Sequence, residues 1–398
     1  MSTSNPCILV LNGGSSSIRF AVLRADATLA RAAGGRIERI GQPDAHLELD
    51  AEPSVPIVAA DHGAAVDALL TWLRARAPAQ AIVAAGHRIV HGMSHFDPER
   101  VTNELLADLR RIQPTDPDHL PLEIRLIEAL RRRLPALAQV ACFDTRFHRD
   151  LPAVAATLPI PRRHTARGIR RYGFHGLSYT FLMEALALRA GAAAADGRVI
   201  LAHLGGGASL AAVHAGRCID TTMSFTPTAG LVMGTRSGDL DPSLAPYLAR
   251  TAGMSSAQFL RMINHESGLL GVSETSADMR ALLQAEADDP RAAEAVALFC
   301  YQARKAIGSF AAALGGLDTL VFSGGIGEAS ATIRARICDG LEFLGVAVDA
   351  ARNHADAGLI SPPTGRVAVH VIRTDEERVI ARAVRDLLEL DARGQETP

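Results

Sequence analysis

Cysteine is scarce in this sequence, and its distribution excludes two common kinds of site. The five cysteines among the 398 residues stand far apart, and no two of them form a Cys-x-x-Cys pair. Disulfide frameworks use an even set of cysteines, and zinc sites usually contain closely spaced pairs, so neither is indicated. We therefore predict reduced, mostly buried thiols at positions 7, 142, 218, 300 and 338.

Long apolar runs and an excess of charge of one sign are also absent. No stretch reaches the roughly 20 uninterrupted apolar residues that a membrane helix needs, and Met1 to Asn5 lacks the basic and apolar regions of a signal peptide. The net charge of -2 gives no general attraction to nucleic acid or anionic membranes. We expect a cytoplasmic protein with neither nucleic-acid nor membrane partners.

Two common nucleotide-binding motifs are missing as well. No Gly-Lys-Ser/Thr follows a glycine-rich turn, which excludes a Walker A loop, and no early Gly-x-Gly-x-x-Gly enters a helix. Three glycine-rich turns instead follow apolar runs directly: NGGSSS (12–17), HLGGGAS (203–209) and FSGGIGEAS (322–330). Glycines let backbone N–H groups approach phosphate oxygens. One such turn is explained equally well by hairpin sterics, but three together favour the strand-to-strand phosphate hairpins of duplicated, actin-like ATPases.

The length and the order of patterns favour two related domains. A chain of 398 residues with 48% hydrophobic residues is too long for one ordinary core. A strand, a Gly/Ser turn, a second strand, a polar turn and a third strand follow one another from residue 7 and again from residue 199. This repetition predicts an internal duplication, with chance similarity of two hairpins as the alternative.

Helical periodicity and proline content divide the chain further. Apolar residues at helical spacing predict helices at 121–134 and 375–390, the second of which would pack on the first domain. Residues 151–171 contain three prolines and no clean period, which is typical of a connection between domains. The predicted domains are residues 1–148 with 377–398, and residues 149–376.

Four segments rich in arginine and histidine are candidates for phosphoryl chemistry. They are GHRIVHG (86–92), CFDTRFH (142–148), RYGFHG (171–176) and GTRSGDLDP (234–242). Phosphoryl transfer spreads negative charge over oxygens, and positioned cations and hydrogen-bond donors stabilise that charge. Arg88, His175 and Arg236 are suited to this task. A surface role is the alternative for each alone, but flanking glycines and prolines place all four segments on turns.

Two acidic positions and one serine complete the candidates. Asp144 follows an apolar run, so its carboxylate would lie at a strand end and could hold Mg²⁺ or handle a proton. Glu376 stands just before the terminal helix, where helix capping is the alternative role. Ser178 is a predicted N-cap, which would bring His175 near the positive end of a helix dipole.

The motifs together resemble the acetate kinases over nearly the whole chain. The matching segments occur in the family's order and spacing: VLNGGSSSIRF, GHRIVHG, FDTRFH, RYGFHGLS, AHLGGGASL, DTTMSFTPTAGLVMGTRSGDLDP, FSGGIGE and TDEE. The long block from Asp220 to Pro242 is the most specific of them. The resemblance implies an α/β fold of two ribonuclease-H-like (actin-like ATPase) domains with mixed sheets flanked by helices. It also implies a homodimer that forms an acyl phosphate from a short carboxylate and ATP.

The resemblance also implies roles in catalysis and metal binding. Asn12 and Glu376 match the positions that hold Mg²⁺, with Mn²⁺ as an alternative, and Asp144 matches the catalytic carboxylate. The groups around the transferred phosphoryl group and the substrate carboxylate are Arg88, His175 and Arg236.

Binding residues follow from the same resemblance. His119 is a further active-site histidine on the substrate side, and a small apolar pocket for the acyl methyl group matches Val90, Phe174 and Pro227. The positions that match the nucleotide site are Arg19, His203, Leu204, Gly205, Gly206, Gly207, Asp278, Met279, Arg280, Gly325, Ile326, Gly327, Glu328 and Ala329.

Several positions depart from the family pattern. Arg19 stands in place of a lysine and Asp118 in place of a pocket leucine, while Gly206 and Ala329 each replace an asparagine beside the nucleotide. Two further departures are Met93 for a glycine and Tyr179 for a histidine. The catalytic set is intact, so the changes bear on the choice of nucleotide and of acyl chain.

Three functions compete on these residues. The leading hypothesis is an ATP:acetate phosphotransferase that acts by direct in-line transfer. The nearest alternative is a propionate or butyrate kinase, which the room around Val90, Phe174 and Asp118 would decide. A non-catalytic ATP-binding regulatory or chaperone-like module is the third, but its expected mark is loss of Arg88, Asp144 or Arg236, and all three are present.

Overall fold

The chain divides into two units in the computed structural model, which describes residues 6–14, 16–50, 52–76 and 82–390. The first unit comprises the chain up to Arg146 together with the residues from Asp375 onward, and the second is Phe147–Thr374. The boundaries between the units thus lie after residues 146 and 374, two residues before each of the predicted boundaries after residues 148 and 376. Ser15, in the first glycine-rich turn, lies outside the described residues.

In the described part of the first unit, eight strands form one sheet in the order β5-β4-β3-β2-β1-β6-β8-β7. From β1 to β5, each strand is antiparallel to the next one along the chain. By contrast, β1, β6 and β8 are parallel to one another. The elements are β1 (Cys7–Gly13), β2 (Ile18–Arg24), β3 (Arg31–Glu38), β4 (His46–Leu49), β5 (Glu52–Pro56), α1 (His62–Arg76), β6 (Ile82–Ile89), β7 (Glu99–Arg100), α2 (Asn103–Ile112), α3 (Leu120–Arg133) and β8 (Ala138–Phe143).

In the second unit, five strands form a sheet in the order β11-β10-β9-β12-β13. Strands β9 to β11 are an antiparallel meander, and β9, β12 and β13 are parallel. The elements are α4 (Ala153–Ala156), α5 (Arg162–Thr165), α6 (Gly176–Ala190), α7 (Ala192–Asp196), β9 (Arg198–Leu204), β10 (Ala208–His214), β11 (Arg217–Thr221), α8 (Leu244–Ala252), α9 (Ser256–His265), α10 (Gly268–Ser273), α11 (Met279–Ala285), α12 (Pro290–Leu314), β12 (Thr319–Ser323), α13 (Gly324–Ala329), α14 (Ala331–Cys338), α15 (Ala350–His354) and β13 (Ala368–Val371).

The two sheets repeat one arrangement, which confirms the predicted duplication. The order β3-β2-β1-β6-β8 in the first unit corresponds to β11-β10-β9-β12-β13 in the second. The first strand of each repeat is buried along most of its length, as expected for a central strand covered on both faces. Each repeat therefore presents the carboxyl ends of three neighbouring parallel strands at one sheet edge, where α/β proteins commonly bind ligands.

The C-terminal helix α16 (Glu376–Leu388) belongs to the first unit and packs against β1 and β6. A Cβ added at Gly86 in β6 would lie only 2.4 Å from Ile380 Cγ2 and 2.8 Å from Val384 Cγ2. Gly86 thus permits the close approach of this helix to the sheet, which positions Glu376 in its first turn. Leu387 is 38% exposed and does not share the buried face.

Two sequence-based expectations about local structure are wrong. Residues 151–171 lie within the second unit and include α4 and α5, because Pro152 and Pro161 stand at helix starts instead of marking a connection. The first two glycine-rich turns join antiparallel strands as predicted. The third enters the short helix α13.

Two predictions from composition agree with the structure. All five cysteines are buried, and none of them forms a disulfide. None of the helices in the described ranges combines the length and the apolar character that crossing a membrane requires.

Candidate active site

The first group of site residues surrounds the carboxyl ends of β1, β6 and β8, and we call it the Arg88 cluster. It comprises Asn12, Arg88 and Asp144 at those ends, Arg19 opposite Asn12 near the start of β2, and Glu376 at the start of α16. Asn12 lies near the end of β1, Arg88 near the end of β6, and Asp144 directly after β8. Because these three strands are parallel neighbours, their ends meet at one edge. Arg88 was expected on a turn; it lies on the strand, and the turn begins after Ile89.

The Arg88 cluster contains a buried ion pair with one donor to spare. Arg88 Nη2 donates to Asp144 Oδ2 over 2.7 Å, and the Asp144 side chain is fully buried. Arg88 Nη1 donates to Asn12 Oδ1 over 3.4 Å. Arg88 Nε is buried and has no hydrogen-bond partner within the described ranges. The guanidinium is therefore fixed in place, and the 19% of the side chain that stays exposed is where a ligand oxygen can reach it.

The charges of the Arg88 cluster shift one another's protonation. Burial alone would lower the pKa of Arg88, but the Asp144 and Glu376 carboxylates raise it above its ordinary value. Burial and the nearby charge of Asp144 raise the pKa of Glu376 to about 7, although Arg88 and Arg19 act in the opposite direction. Glu376 is the first residue of α16, whose N-cap is Asp375, so the capping role belongs to its neighbour.

The oxygen atoms of the Arg88 cluster suit a hard divalent cation. Asn12 supplies an amide oxygen and Glu376 a carboxylate whose ionisation a cation would favour. In the described part of the chain, no three His, Cys, Asp or Glu side chains form a metal site by themselves.

The substrate-side residues of the first unit adjoin two buried acids that sequence reasoning missed. Val90 is 5% exposed, and its backbone N–H donates to Glu123 over 3.1 Å. A hydrogen bond of 2.8 Å joins His119 Nδ1 to Asp116 Oδ1. Glu123 lies on the buried face of α3 with Leu120 and Ile127. An acidic residue at an apolar position of the helical pattern was therefore the sequence signal that could have identified it.

Asp118 is half-buried in the turn before α3. From the sequence we expect its side chain to pair with a cation such as Arg125 or with a ring nitrogen of His119, with a protonated carboxyl group as the alternative. Because Asp116 occupies Nδ1 of His119, that nitrogen is not the partner. Pairing with Arg125 or with Nε2 of His119 stays a prediction.

In the second unit, His175, His203, Ser209 and Arg236 form what we call the His175 cluster. A 2.8 Å hydrogen bond joins His175 Nδ1 to Ser209 Oγ, and the rings of His175 and His203 stack at 4.3 Å. A Cβ added at Gly207 would lie 3.3 Å from His175 Nε2 and 3.6 Å from Arg236 Nη1. Glycine at this position therefore allows a cation and a ring nitrogen to converge on the backbone of the second glycine-rich turn.

The start of α6 differs from its prediction. His175 is the N-cap, with a left-handed φ of 58°, and the helix begins at Gly176. Ser178 lies inside the helix, where its hydroxyl forms hydrogen bonds with His203 Nδ1 and Thr374 Oγ1. The hydroxyl is thus used for tertiary contacts, so the predicted N-cap at Ser178 is wrong.

The second and third glycine-rich turns lie side by side at one edge of the sheet. Strands β9 and β12 are parallel and pair His203 with Ser323 at their ends. A Cβ added at Gly205 would lie 3.7 Å from the backbone N of Gly325. Gly324 has a φ of 75° and packs against the Leu204 backbone so closely that a Cβ there would lie 2.6 Å from its carbonyl oxygen. The two turns are therefore held together by backbone contacts that only glycine allows.

The predicted nucleotide residues divide into accessible and buried groups. Glu328 braces the turn, since Oε1 accepts from Ser323 Oγ, Gly324 N and Thr374 N. Ile326 is half-buried. The buried positions are Leu204, Gly327 and Met279, and the exposed ones are Gly206, Gly325, Ala329, Asp278 and Arg280. Asp278 is the N-cap of α11 and pairs with Arg280.

The predicted pocket residues of the second unit are almost fully covered. Phe174 is 1% exposed, and its carbonyl oxygen accepts a hydrogen bond from His148 Nε2 over 2.9 Å. Pro227 is buried, and its carbonyl oxygen accepts a hydrogen bond from Arg236 Nη1 over 3.2 Å. Pro227 therefore helps to orient the arginine of the His175 cluster.

Comparisons with known proteins agree with this geometry. Residues 7–382 match the model of the Acetokinase family. An acetate kinase of Rhodopseudomonas palustris (strain TIE-1) is 44% identical over 388 residues, covering 95% of this chain and 97% of that protein. A propionate kinase of Citrobacter rodentium (strain ICC168) is also 44% identical, over 389 residues, covering 95% of this chain and 96% of that protein.

Solved structures give the same result. The fold is similar to that of a propionate kinase from Francisella tularensis, with a TM-score of 0.90 and 35% identity, covering 96% of this chain and 99% of that one. An acetate kinase of Porphyromonas gingivalis matches with a TM-score of 0.85 and 34% identity, covering 96% of this chain and 100% of that one. A family match across almost the entire length, together with these relatives, shows that the chain belongs to the acetokinase family.

Proposed function

We propose that this chain catalyses reversible phosphoryl transfer between ATP and acetate, giving acetyl phosphate and ADP. The observation that carries the proposal is the Arg88 cluster, where the fully buried Asp144 fixes a guanidinium whose side chain stays 19% exposed, so that an N–H donor can meet a ligand. Such a donor suits a carboxylate or phosphoryl oxygen, and the acetate kinases resemble this chain across its length. Acetyl is the smallest acyl group that has a methyl group for the apolar pocket residues to hold.

The chain's own residues have separate tasks in this reaction. Arg88 would bind the acetate carboxylate or the transferred phosphoryl oxygens, and Asp144 keeps the guanidinium oriented. His175 and Arg236 would donate to phosphoryl oxygens as negative charge develops on them. The exposed glycine turns would admit the nucleotide to backbone N–H groups.

Magnesium fits as the cofactor of this proposal. Asn12 and Glu376 would hold it, and when bound it supplies positive charge that offsets the charge of the nucleotide phosphates. The cytoplasmic location, the homodimer and the lack of nucleic-acid or membrane partners stay predictions.

A substrate panel tests the proposal. The purified chain is assayed with Mg²⁺ and each combination of acetate, propionate, butyrate or formate with ATP, GTP or pyrophosphate, measuring acyl phosphate and the nucleotide product. We expect ATP with acetate to give a kcat/KM at least as high as any other pair. Acyl phosphate formation with none of the carboxylates would refute the proposal.

Propionate is the second candidate substrate, because a propionate kinase matches this chain at the same 44% identity. Asp118 stands where the family has a pocket leucine, so we expect the acyl site to lack one of its apolar side chains. We predict that propionate is used nearly as well as acetate and that Asp118→Leu sharpens the preference for acetate. The measurement is kcat/KM for acetate, propionate and butyrate, with Asp118→Asn as the control for charge alone. If the kcat/KM ratio between acetate and propionate is unchanged in Asp118→Leu, Asp118 does not contribute to the pocket.

The surroundings of Gly206 lead to a prediction about the preference for ATP over GTP. It is exposed, and a Cβ added there meets no atom within 4 Å, so a side chain can be accommodated. We expect the chain to discriminate weakly between ATP and GTP, and Gly206→Asn to raise that preference by about 2- to 10-fold, the value of one hydrogen bond. The matched control is Gly216→Asn, at an exposed turn with a φ of 71° that asparagine tolerates. A strong ATP preference in the unmodified chain would contradict the prediction.

A further inference from the structure

Glu123 is a buried acid that neither the predicted site nor the family motifs quoted above include. It is 2% exposed and lies in the first turn of α3. Both of its carboxyl oxygens lie close to the Val90 backbone N, at 3.1 and 3.2 Å. Val90 directly follows β6 and stands two residues after Arg88. Glu123 therefore holds the peptide that connects the arginine of the Arg88 cluster to the proposed acyl pocket.

The neighbours of Glu123 explain why an acid is tolerated there. Arg88 uses Nη2 for Asp144, and Asp116 has His119 as its partner. Burial, followed by the charge of Asp116, raises the pKa of Glu123 well above its ordinary value, against the opposing effect of Arg88. Among the charged groups that act on Glu123, Asp116 and Asp144 are acids and Arg88 is the cation. Burial and the neighbouring acids favour the neutral form of the carboxyl group, which acts through hydrogen bonds.

A neutral Glu123 has two consequences for the Arg88 cluster. It accepts the Val90 N–H, which otherwise would be a buried donor without an acceptor at the end of a strand. It also adds no second negative charge beside Arg88, whose single positive charge already faces Asp144. The arginine can therefore still attract an anionic substrate.

We propose that Glu123 is a positioning residue that fixes the Val90 peptide through hydrogen bonding alone and thereby sets the affinity for the carboxylate and the choice of acyl chain. This inference rests on the proposed function, because that function assigns Val90 to the acyl pocket. A displacement of about 1 Å at a substrate-positioning group is enough to change activity by large factors. The effect should appear in KM and in the ratio between acyl chains more than in kcat.

The experiment compares three substitutions at one position in the full-length chain. Glu123→Gln keeps an oxygen acceptor without a titratable proton, Glu123→Ala removes the acceptor, and Glu123→Asp keeps the carboxyl group but shortens its reach. Initial rates are measured for acetate and propionate at saturating ATP and Mg²⁺, and melting temperatures are recorded for each protein. Glu128→Ala is the matched control, since Glu128 lies in the same helix and pairs only with Arg110 among the ion pairs of the described chain.

We expect Glu123→Gln and Glu128→Ala to keep KM for acetate within about twofold of the unmodified chain. Glu123→Ala and Glu123→Asp should raise that KM by about 10-fold and change the acetate-to-propionate ratio, because each leaves the Val90 N–H without an acceptor. Their kcat should fall by less than the rise in KM.

Two results would overturn the inference. Equal damage in Glu123→Gln and Glu123→Ala would mean that the ionised carboxylate is required. An unchanged KM and acyl ratio in Glu123→Asp, with only a lower melting temperature, would mean that the role is structural. If Glu123→Ala does not fold, the Gln and Asp variants decide the question. The unmodified chain is assayed first, so that inactivity toward every carboxylate refutes the proposed function separately.

Discussion

Replacing Arg88 with alanine is expected to lower kcat/KM for acetate by about 100- to 1000-fold, equivalent to roughly 3 to 4 kcal/mol of transition-state stabilisation. Arg88 supplies a fixed donor whose geometry is set by Asp144 and Asn12. Removing it also leaves the fully buried Asp144 without its cation, which lowers the free energy of unfolding by about 3 to 5 kcal/mol. The measurements are steady-state kinetics and the thermal midpoint of unfolding.

Two further variants separate the loss of the donor from the loss of stability. Arg88→Lys keeps the positive charge but lacks the planar guanidinium, so it should recover stability while remaining impaired in kcat/KM. Arg146→Ala removes a neighbouring arginine whose ion pair with Asp97 is exposed, and it should behave like the unmodified chain. A near-normal kcat in a folded Arg88→Ala protein would contradict the role of this residue in the reaction.

Asp144→Asn is expected to lower kcat by about 100-fold or more while changing KM for acetate only a few-fold. The substitution keeps the shape of the side chain and an oxygen for Arg88, but it removes the negative charge. A carboxylate that acts on a proton or on the metal contributes mainly in the transition state, where such effects reach about 10² to 10⁴. The measurement is kcat and KM for acetate at saturating ATP and Mg²⁺.

The control for this substitution is Asp97→Asn, which removes an exposed carboxylate of the same unit. It should leave both constants unchanged. An effect of Asp144→Asn confined to KM would instead make Asp144 a residue that positions the substrate.

Some of the fold was predictable because it depends on neighbours along the chain. The turn after β1 closes where glycine and serine interrupt an apolar run, with Gly14 N donating to Ser17 O over 2.7 Å. The same pattern recurs between β9 and β10, so the duplication was visible in the sequence. The predictions are wrong where a side chain makes a tertiary contact instead of the local one. Ser178, for example, was predicted to cap a helix, but its hydroxyl forms a hydrogen bond with His203.

The sequence by itself determined the residue types of the site, the hairpins that carry the glycines, and the family. These follow from short segments in a fixed order, and such segments can be read without knowing which strands are neighbours. Even the departures at Asp118 and Gly206 are visible at this level.

Only the tertiary structure decided which of these residues meet. Arg88 is 76 residues from Asn12 and 56 from Asp144, and the parallel register of β1, β6 and β8 brings the three together. The same is true of Glu123, whose hydrogen bond to Val90 depends on how α3 packs beside β6. Burial and mutual charge then set the protonation of Glu123 and Glu376, because a pKa depends on the distances between groups and on their exposure to water.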